Sequence, residues 1–257
     1  MRAGPILIAA LVWAEAAMPA RAGAPECPAR SAETSLTAPL TRTIAKIRGA
    51  GELLVIAIGS SSTAGYGASS PASAYPMRLA IELRERLPGV KVHVLNKGIG
   101  GDTDLDMVRR FDRDIFPYKP DLVVWQLGTN SVLKDSGMAG HAPPVRDGVG
   151  RLKAAGIDVI LMNPQYAPKV LKDPDHPDML RLLDMIGRQE NVSVFGRFAI
   201  MRDWVTSGGA DFGAILTADG LHMNDTSYRC IAHLLADSII TAAAVTSPPL
   251  MTASPRP

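Results

Sequence analysis

Three adjacent serines, Ser60, Ser61 and Ser62, follow directly on an apolar run, and far downstream stands the segment Asp219-Gly-Leu-His222. A serine hydroxyl becomes a nucleophile near neutral pH when a neighbouring base takes its proton, and histidine is the natural base. Of the five histidines, His93 falls in a strand-like stretch and His233 in an apolar helical one, where a hydrogen-bonded structural role suffices. His141 and His176 lie in loops among Pro and Asp and read as surface residues. His222 is different, because a carboxylate three positions earlier can reach its Nδ1 hydrogen within one turn. That contact would hold the tautomer whose Nε2 accepts a serine proton. Acyl transfer also needs donors for a developing oxyanion. The amides of Ser61 and Gly101 and the side chain of Asn130 supply them if their loops converge. Each of these residues alone is an ordinary turn or capping residue, and only their joint occurrence carries weight.

Such groups meet only if rigid elements aim them. Leu53 to Ile58 is continuously apolar, rich in β-branched residues and bounded by Gly51 and Gly59, which predicts a strand buried on both faces of a parallel sheet. Ligands of open α/β sheets bind beyond the carboxyl ends of the strands, so the serines fall where chemistry is usually done. Further strands are expected at 90–95, 121–126, 157–162 and 191–195. Helices are expected at 41–51, 75–87, 104–111, 144–155, 178–189, 199–206 and 226–244. In the 75–87 helix the apolar set is Met77, Ala80, Ile81 and Leu87. Short alternation of strand and helix predicts a parallel sheet covered on both faces. Gly98 to Gly101 forms a loop after the second strand, and Leu127 to Asn130 a turn after the third.

The chain has 257 residues, 47% of them apolar and 20% charged, enough for one α/β domain with a full core. A formal net charge of +2, with no basic run interleaved with aromatics, gives no footing for nucleic acid. Residues 1–22 read as a signal peptide: Arg2, an apolar run from Pro5 to Ala14, and Ala20-Arg-Ala22 as the cleavage site. The run falls short of the ~20 apolar residues that span a bilayer. The expectation is an exported protein, periplasmic or secreted, with no stable membrane anchor after cleavage. Residues 23–40 are then a loosely held arm, 41–246 the domain and 247–257 a disordered tail. The two cysteines, Cys27 and Cys230, permit a disulfide in an oxidising compartment. It would tie the arm to the last helix.

Four blocks, in order, resemble the SGNH hydrolase superfamily, the GDSL-type esterases and lipases. Gly59-Ser-Ser-Ser-Thr-Ala-Gly65 is similar to the first block and aligns Ser61 with the nucleophile, by register with Thr63 and Gly65. Asn96-Lys-Gly-Ile-Gly-Gly-Asp-Thr103 resembles the second, with Gly101 as the oxyanion glycine. Gly128-Thr-Asn130 resembles the third, with Asn130 as side-chain donor, and Asp219-Gly-Leu-His222 the last. The chain departs from the pattern twice: Ser60 replaces the usual Asp before the nucleophile, and Ser131 the common Asp after the asparagine.

The resemblance implies a flavodoxin-like three-layer α/β/α sandwich on a mainly parallel five-stranded sheet. It implies ester hydrolysis through an acyl-enzyme, with catalytic residues Ser61, Asp219 and His222, and neither a metal nor an organic cofactor. Asp102 to Asp106 and the cluster Asp173, Asp175, His176 and Asp178 fit helix starts and caps better than metal sites. Tyr166 and the 132–141 segment are the candidate pocket walls, and the expected substrate is a short-chain acyl ester of a carbohydrate or small molecule. Acyl transfer to a sugar, or a catalytically silent carbohydrate-binding protein on the same fold, are the alternatives. Export predicts that Edman sequencing of the mature protein starts near Gly23; a start at Met1 removes the leader.

Overall fold

The computed structural model describes residues 27–134 and 140–245. The expected leader and tail lie outside those residues, as does part of the 132–141 segment. Five strands, β1 (Glu52–Gly59), β2 (Lys91–Gly98), β3 (Leu122–Gln126), β4 (Asp158–Met162) and β5 (Ser193–Phe195), form one sheet in the order β2-β1-β3-β4-β5. Every pairing is parallel. This is the three-layer α/β arrangement anticipated from the alternation of elements.

Strand periodicity explains the two core layers. On β1, Val55 and Ala57 face one layer and Ile56 and Ile58 the other. On β3, Leu122 and Val124 oppose Val123 and Trp125 in the same way. Helix Tyr75–Arg86 and the final helix, Asp225–Val245, cover the first face. Helices Ala142–Ala154 and His176–Glu190 cover the second. A one-residue slip would exchange the side chains of the two layers, so the packing of both layers fixes the register.

The structure corrects two expectations. The inward face of Tyr75–Arg86 is Tyr75, Leu79, Ala80 and Leu83, whereas Ile81 is 40% exposed. Spacing of four from Tyr75 keeps one stripe against the sheet, and Ile81 falls off that stripe. The arm is also not loose. Pro28 O accepts from Trp204 Nε1 at 2.7 Å, Glu33 O from Gly196 N at 3.0 Å, and Ser193 Oγ from Ala38 N at 2.9 Å. Its composition resembles a tail because the partners sit more than 150 positions away, on edge strand β5 and its following helix.

Cys27 and Cys230 are joined across 203 residues, fastening the arm to the final helix. Closing so long a loop restricts the unfolded chain strongly, and losing such a bond typically costs about 2–5 kcal/mol. Cys27→Ser should therefore lower the unfolding free energy by that amount and steepen its dependence on denaturant, because the unfolded chain expands. Two titratable thiols in unreduced, denatured wild type would show that the bond does not form.

Candidate active site

The strand order reverses between β1 and β3, where the loops on either side diverge and leave a crevice. The loops leaving β1, β2 and β3 meet there. Gly98 pairs with Gly59 in register, and a Cβ on Gly98 would stand 2.1 Å from Ala64 N. Only glycine lets the end of β2 come so near the serine turn.

That turn distinguishes the three serines. Ser60 is buried, and its N and Oγ both donate to Gln126 Oε1, at 2.9 and 3.1 Å. Thr63 Oγ1 donates to the same oxygen at 3.2 Å. Ser62 is buried too, its Oγ without a hydrogen-bond partner. Ser61 alone turns outward, its Oγ 2.8 Å from His222 Nε2. It opens a short helix, Ser61–Ala64, so its N–H has no intrahelical acceptor.

His222 Nδ1 lies 2.5 Å from Asp219 Oδ2. An ionised carboxylate only accepts, so Nδ1 carries the proton and Nε2 keeps a lone pair facing the Ser61 hydroxyl. Asp219 Oδ1 accepts from the amides of Leu221 and His222, each at 2.9 Å, and from Thr217 Oγ1 at 2.8 Å. Partial burial alone would raise the Asp219 pKa. The hydrogen bonds from His222, Leu221 and Thr217 together outweigh it and hold the carboxyl well below the usual carboxylate range. The group therefore stays charged at any pH where imidazole acts as a base.

The opposite wall is built from Gly101 and Asn130. Gly101 has φ +87°, a left-handed conformation that suits glycine, and its carbonyl is turned to Lys134 Nζ at 2.6 Å. Asn130 stands in a helix, Thr129–Lys134, rather than in the expected turn. Its Nδ2 gives one hydrogen to Asp102 O at 2.9 Å, and a carboxamide nitrogen has a second. Ser131, at the second departure from the family pattern, is buried and its Oγ accepts from Asp104 N at 3.2 Å.

Sequence reasoning missed the residues that join these loops. Arg110 is 7% exposed; its Nε donates to Asp102 Oδ2 at 2.7 Å and its two other nitrogens to Asp114 Oδ2 and Gly59 O, at 2.8 and 3.1 Å. One guanidinium thus ties the end of β1 to the loop holding Gly101. Asp104 Oδ1 accepts from Gly128 N at 2.8 Å, tying that loop to the end of β3. Local spacing could have marked its pairing with Asp114, four positions on, but not its bond to Gly59 O, 51 positions away.

Other expectations change as well. His141 is buried beside Asp104, at 3.7 Å, and is not a surface residue. His176 is partly buried and stacks on Phe198 with ring centroids 5.7 Å apart. Tyr166 packs edge-on to Phe198 and flat on Phe212, and Val132 is fully in the core. Thr103 and Asp106 form a capping box, as the helix-start reading of 102–106 requires. Among the described residues no group of three or more His, Cys, Asp or Glu is arranged to hold a metal.

Comparison with known proteins agrees with the family resemblance. A model described as the non-GDSL lipase-like family matches residues 26–245. An acetylxylan esterase of Geobacillus stearothermophilus is 30% identical over 111 residues, 39% of this chain and 49% of that protein. The chain thus matches about half the length of that relative. A two-domain esterase active on acetylated mannans, crystallised with mannopentaose, superimposes with TM-score 0.71 at 20% identity. The superposition covers 84% of this chain and 58% of that one. An acetylxylan esterase structure from Geobacillus stearothermophilus gives TM-score 0.59 at 22% identity, over 73% and 94%. At these identities the two structures speak to fold alone.

Removing Arg110 would leave the Asp102 carboxylate and Gly59 O without their donor, while Asp114 keeps Arg113. Arg110→Met should cost about 3–5 kcal/mol in urea unfolding, the usual penalty for breaking a buried ion pair from one side. A loss below ~1 kcal/mol would mean that the loops are held by other contacts.

Proposed function

The chain belongs to the non-GDSL lipase-like family, and on that premise we propose that it is an exported serine ester hydrolase removing short acyl groups, acetyl above all, from carbohydrate esters. One observation carries the reading: a half-buried serine hydroxyl 2.8 Å from an imidazole whose other nitrogen is held by a carboxylate. A binding protein has no use for that proton path.

In the proposed cycle Ser61 Oγ attacks the ester carbonyl carbon while His222 Nε2 takes its proton. Asp219 stabilises the resulting imidazolium and keeps the ring oriented. The carbonyl oxygen, now an oxyanion, accepts hydrogen bonds from the amides of Ser61 and Gly101 and from Asn130 Nδ2. His222 returns the proton to the departing alcohol, leaving an acyl group on Ser61. Water then attacks that acyl group, again losing its proton to Nε2, and the acid leaves. No step requires a cofactor.

Substrate class is supported by the relative above that is an acetylxylan esterase. Export is supported by the leader-like residues 1–22 and by the Cys27–Cys230 bond. Among the described residues no helix is long and apolar enough to cross a membrane.

A fluorophosphonate probe with peptide fragmentation should mark Ser61 and neither Ser60 nor Ser62. Ser61→Ala should lose the label and lower acetate release from acetylated xylo-oligosaccharide by at least ~10⁴-fold. Asn130→Ala should retain labelling and lose roughly 10²–10³-fold in kcat, about 3–4 kcal/mol for one oxyanion donor. Label on Ser60 or Ser62, or undiminished turnover in Ser61→Ala, would reject the assignment.

A further inference from the structure

Tyr66 is 59% exposed, yet its backbone is immobilised. Its N–H donates to Ser61 O at 3.0 Å, and its own carbonyl accepts from Tyr228 OH at 2.5 Å, Tyr228 being fully buried. The next residue, Gly67, has φ +87°, and a Cβ there would fall 2.4 Å from Met223 O, so the backbone is closely confined. The Tyr66 ring lies over Gly100, where an added Cβ would come within 3.3 Å of it. Its centroid is 5.7 Å from that of His222, with the planes inclined by 36°. A rigid aromatic face therefore stands at the mouth of the crevice, between the base and the oxyanion loop, open to solvent. Ile99, 42% exposed on that same loop, extends the apolar surface.

The proton path says which part of a substrate meets this face. In the proposed cycle His222 Nε2 protonates the departing alcohol, so that oxygen sits within hydrogen-bond reach, roughly 3 Å, of Nε2. The carbon skeleton bearing the oxygen then occupies the next few ångströms beside the imidazole, where the Tyr66 ring lies. A pyranose suits that position. Its C–H groups form a flat apolar face for the aromatic ring, while its hydroxyl edge stays in water. A flexible alkyl alcohol would cover little of the ring and lose more conformational freedom on binding.

We propose that Tyr66 is a specificity-determining platform on which the pyranose ring carrying the scissile ester stacks, so that the enzyme selects acyl groups on sugar chains over those on small acyclic alcohols. This rests on the ester-hydrolase reading of Ser61 and His222. The platform lies at an open surface, so the sugar can be an internal unit of an oligosaccharide lying across the crevice.

The test compares wild type, Tyr66→Ala and Tyr66→Phe on acetylated xylo-oligosaccharide and on ethyl acetate, following acid release and checking folding by thermal unfolding. Stacking predicts that Tyr66→Ala lowers kcat/KM on the oligosaccharide about tenfold more than on ethyl acetate, mainly through KM, and that Tyr66→Phe restores the wild-type ratio. An unchanged ratio in a folded Tyr66→Ala protein would make the residue a mere wall. A Phe variant as poor as Ala would assign the effect to the hydroxyl instead of the ring. Wild type that cleaves ethyl acetate but not the oligosaccharide would overturn the platform and leave the esterase standing. Wild type inert on both would overturn the ester-hydrolase reading itself.

Discussion

Loops that leave a parallel sheet side by side carry backbone carbonyls and amides that the sheet no longer satisfies, and burying them unpaired is costly. Here that constraint is met by three side chains reaching across the strand ends. Gln126, the last residue of β3, accepts from Ser60 and Thr63 on the serine turn after β1. Arg110 joins Gly59 O to Asp102, and Asp104 receives the Gly128 amide. Each bond connects two different loops, so no loop can shift alone without stranding a polar group. The geometry around Ser61 is a consequence of that mutual bracing, which prepares the site before any substrate arrives.

The bracing also accounts for the two departures from the family pattern. Where an aspartate commonly precedes the nucleophile, Ser60 is buried and donates to the Gln126 carboxamide. A carboxylate in that place would face the Gln126 oxygen, acceptor against acceptor, at the present geometry. Ser131 likewise uses a hydroxyl to take the Asp104 amide within the core, where a second buried carboxylate would stand beside the first. Neutral hydroxyls suit a neighbourhood already charged by Asp102, Asp104, Asp114 and Arg110.

Rigidity at the strand ends contrasts with openness beyond them. Ser61 and His222 are only partly covered, the Asp219 side chain is 40% exposed, and Tyr66 projects into solvent. The site has a floor fixed by hydrogen bonds and an exposed aromatic ring at its rim. The disulfide fastens the arm to the final helix two residues beyond Tyr228, whose hydroxyl holds the Tyr66 carbonyl.

Much of this was legible in the linear chain. Continuous apolar runs after Gly51 and before Gly128 foretell strands buried on both faces, because side chains on both sides of such a strand meet cores. Asp219 and His222 are three positions apart, so their contact is local and readable from spacing. Ser61 could be favoured over its neighbours only by register within a family block. What separates the three hydroxyls physically is Gln126, 66 positions away from Ser60, which takes Ser60 into the interior. The bond of Arg110 to Gly59 O, buried His141 and the inward stripe of Tyr75–Arg86 were likewise decided by tertiary structure, since these polar or amphipathic residues find those partners through folding and not through adjacency. Residue types and short spacings determined which groups could react. The sheet order, with its reversal between β1 and β3, decided that they meet, because only the folded chain carries Ser61 to within 2.8 Å of a histidine 161 positions away.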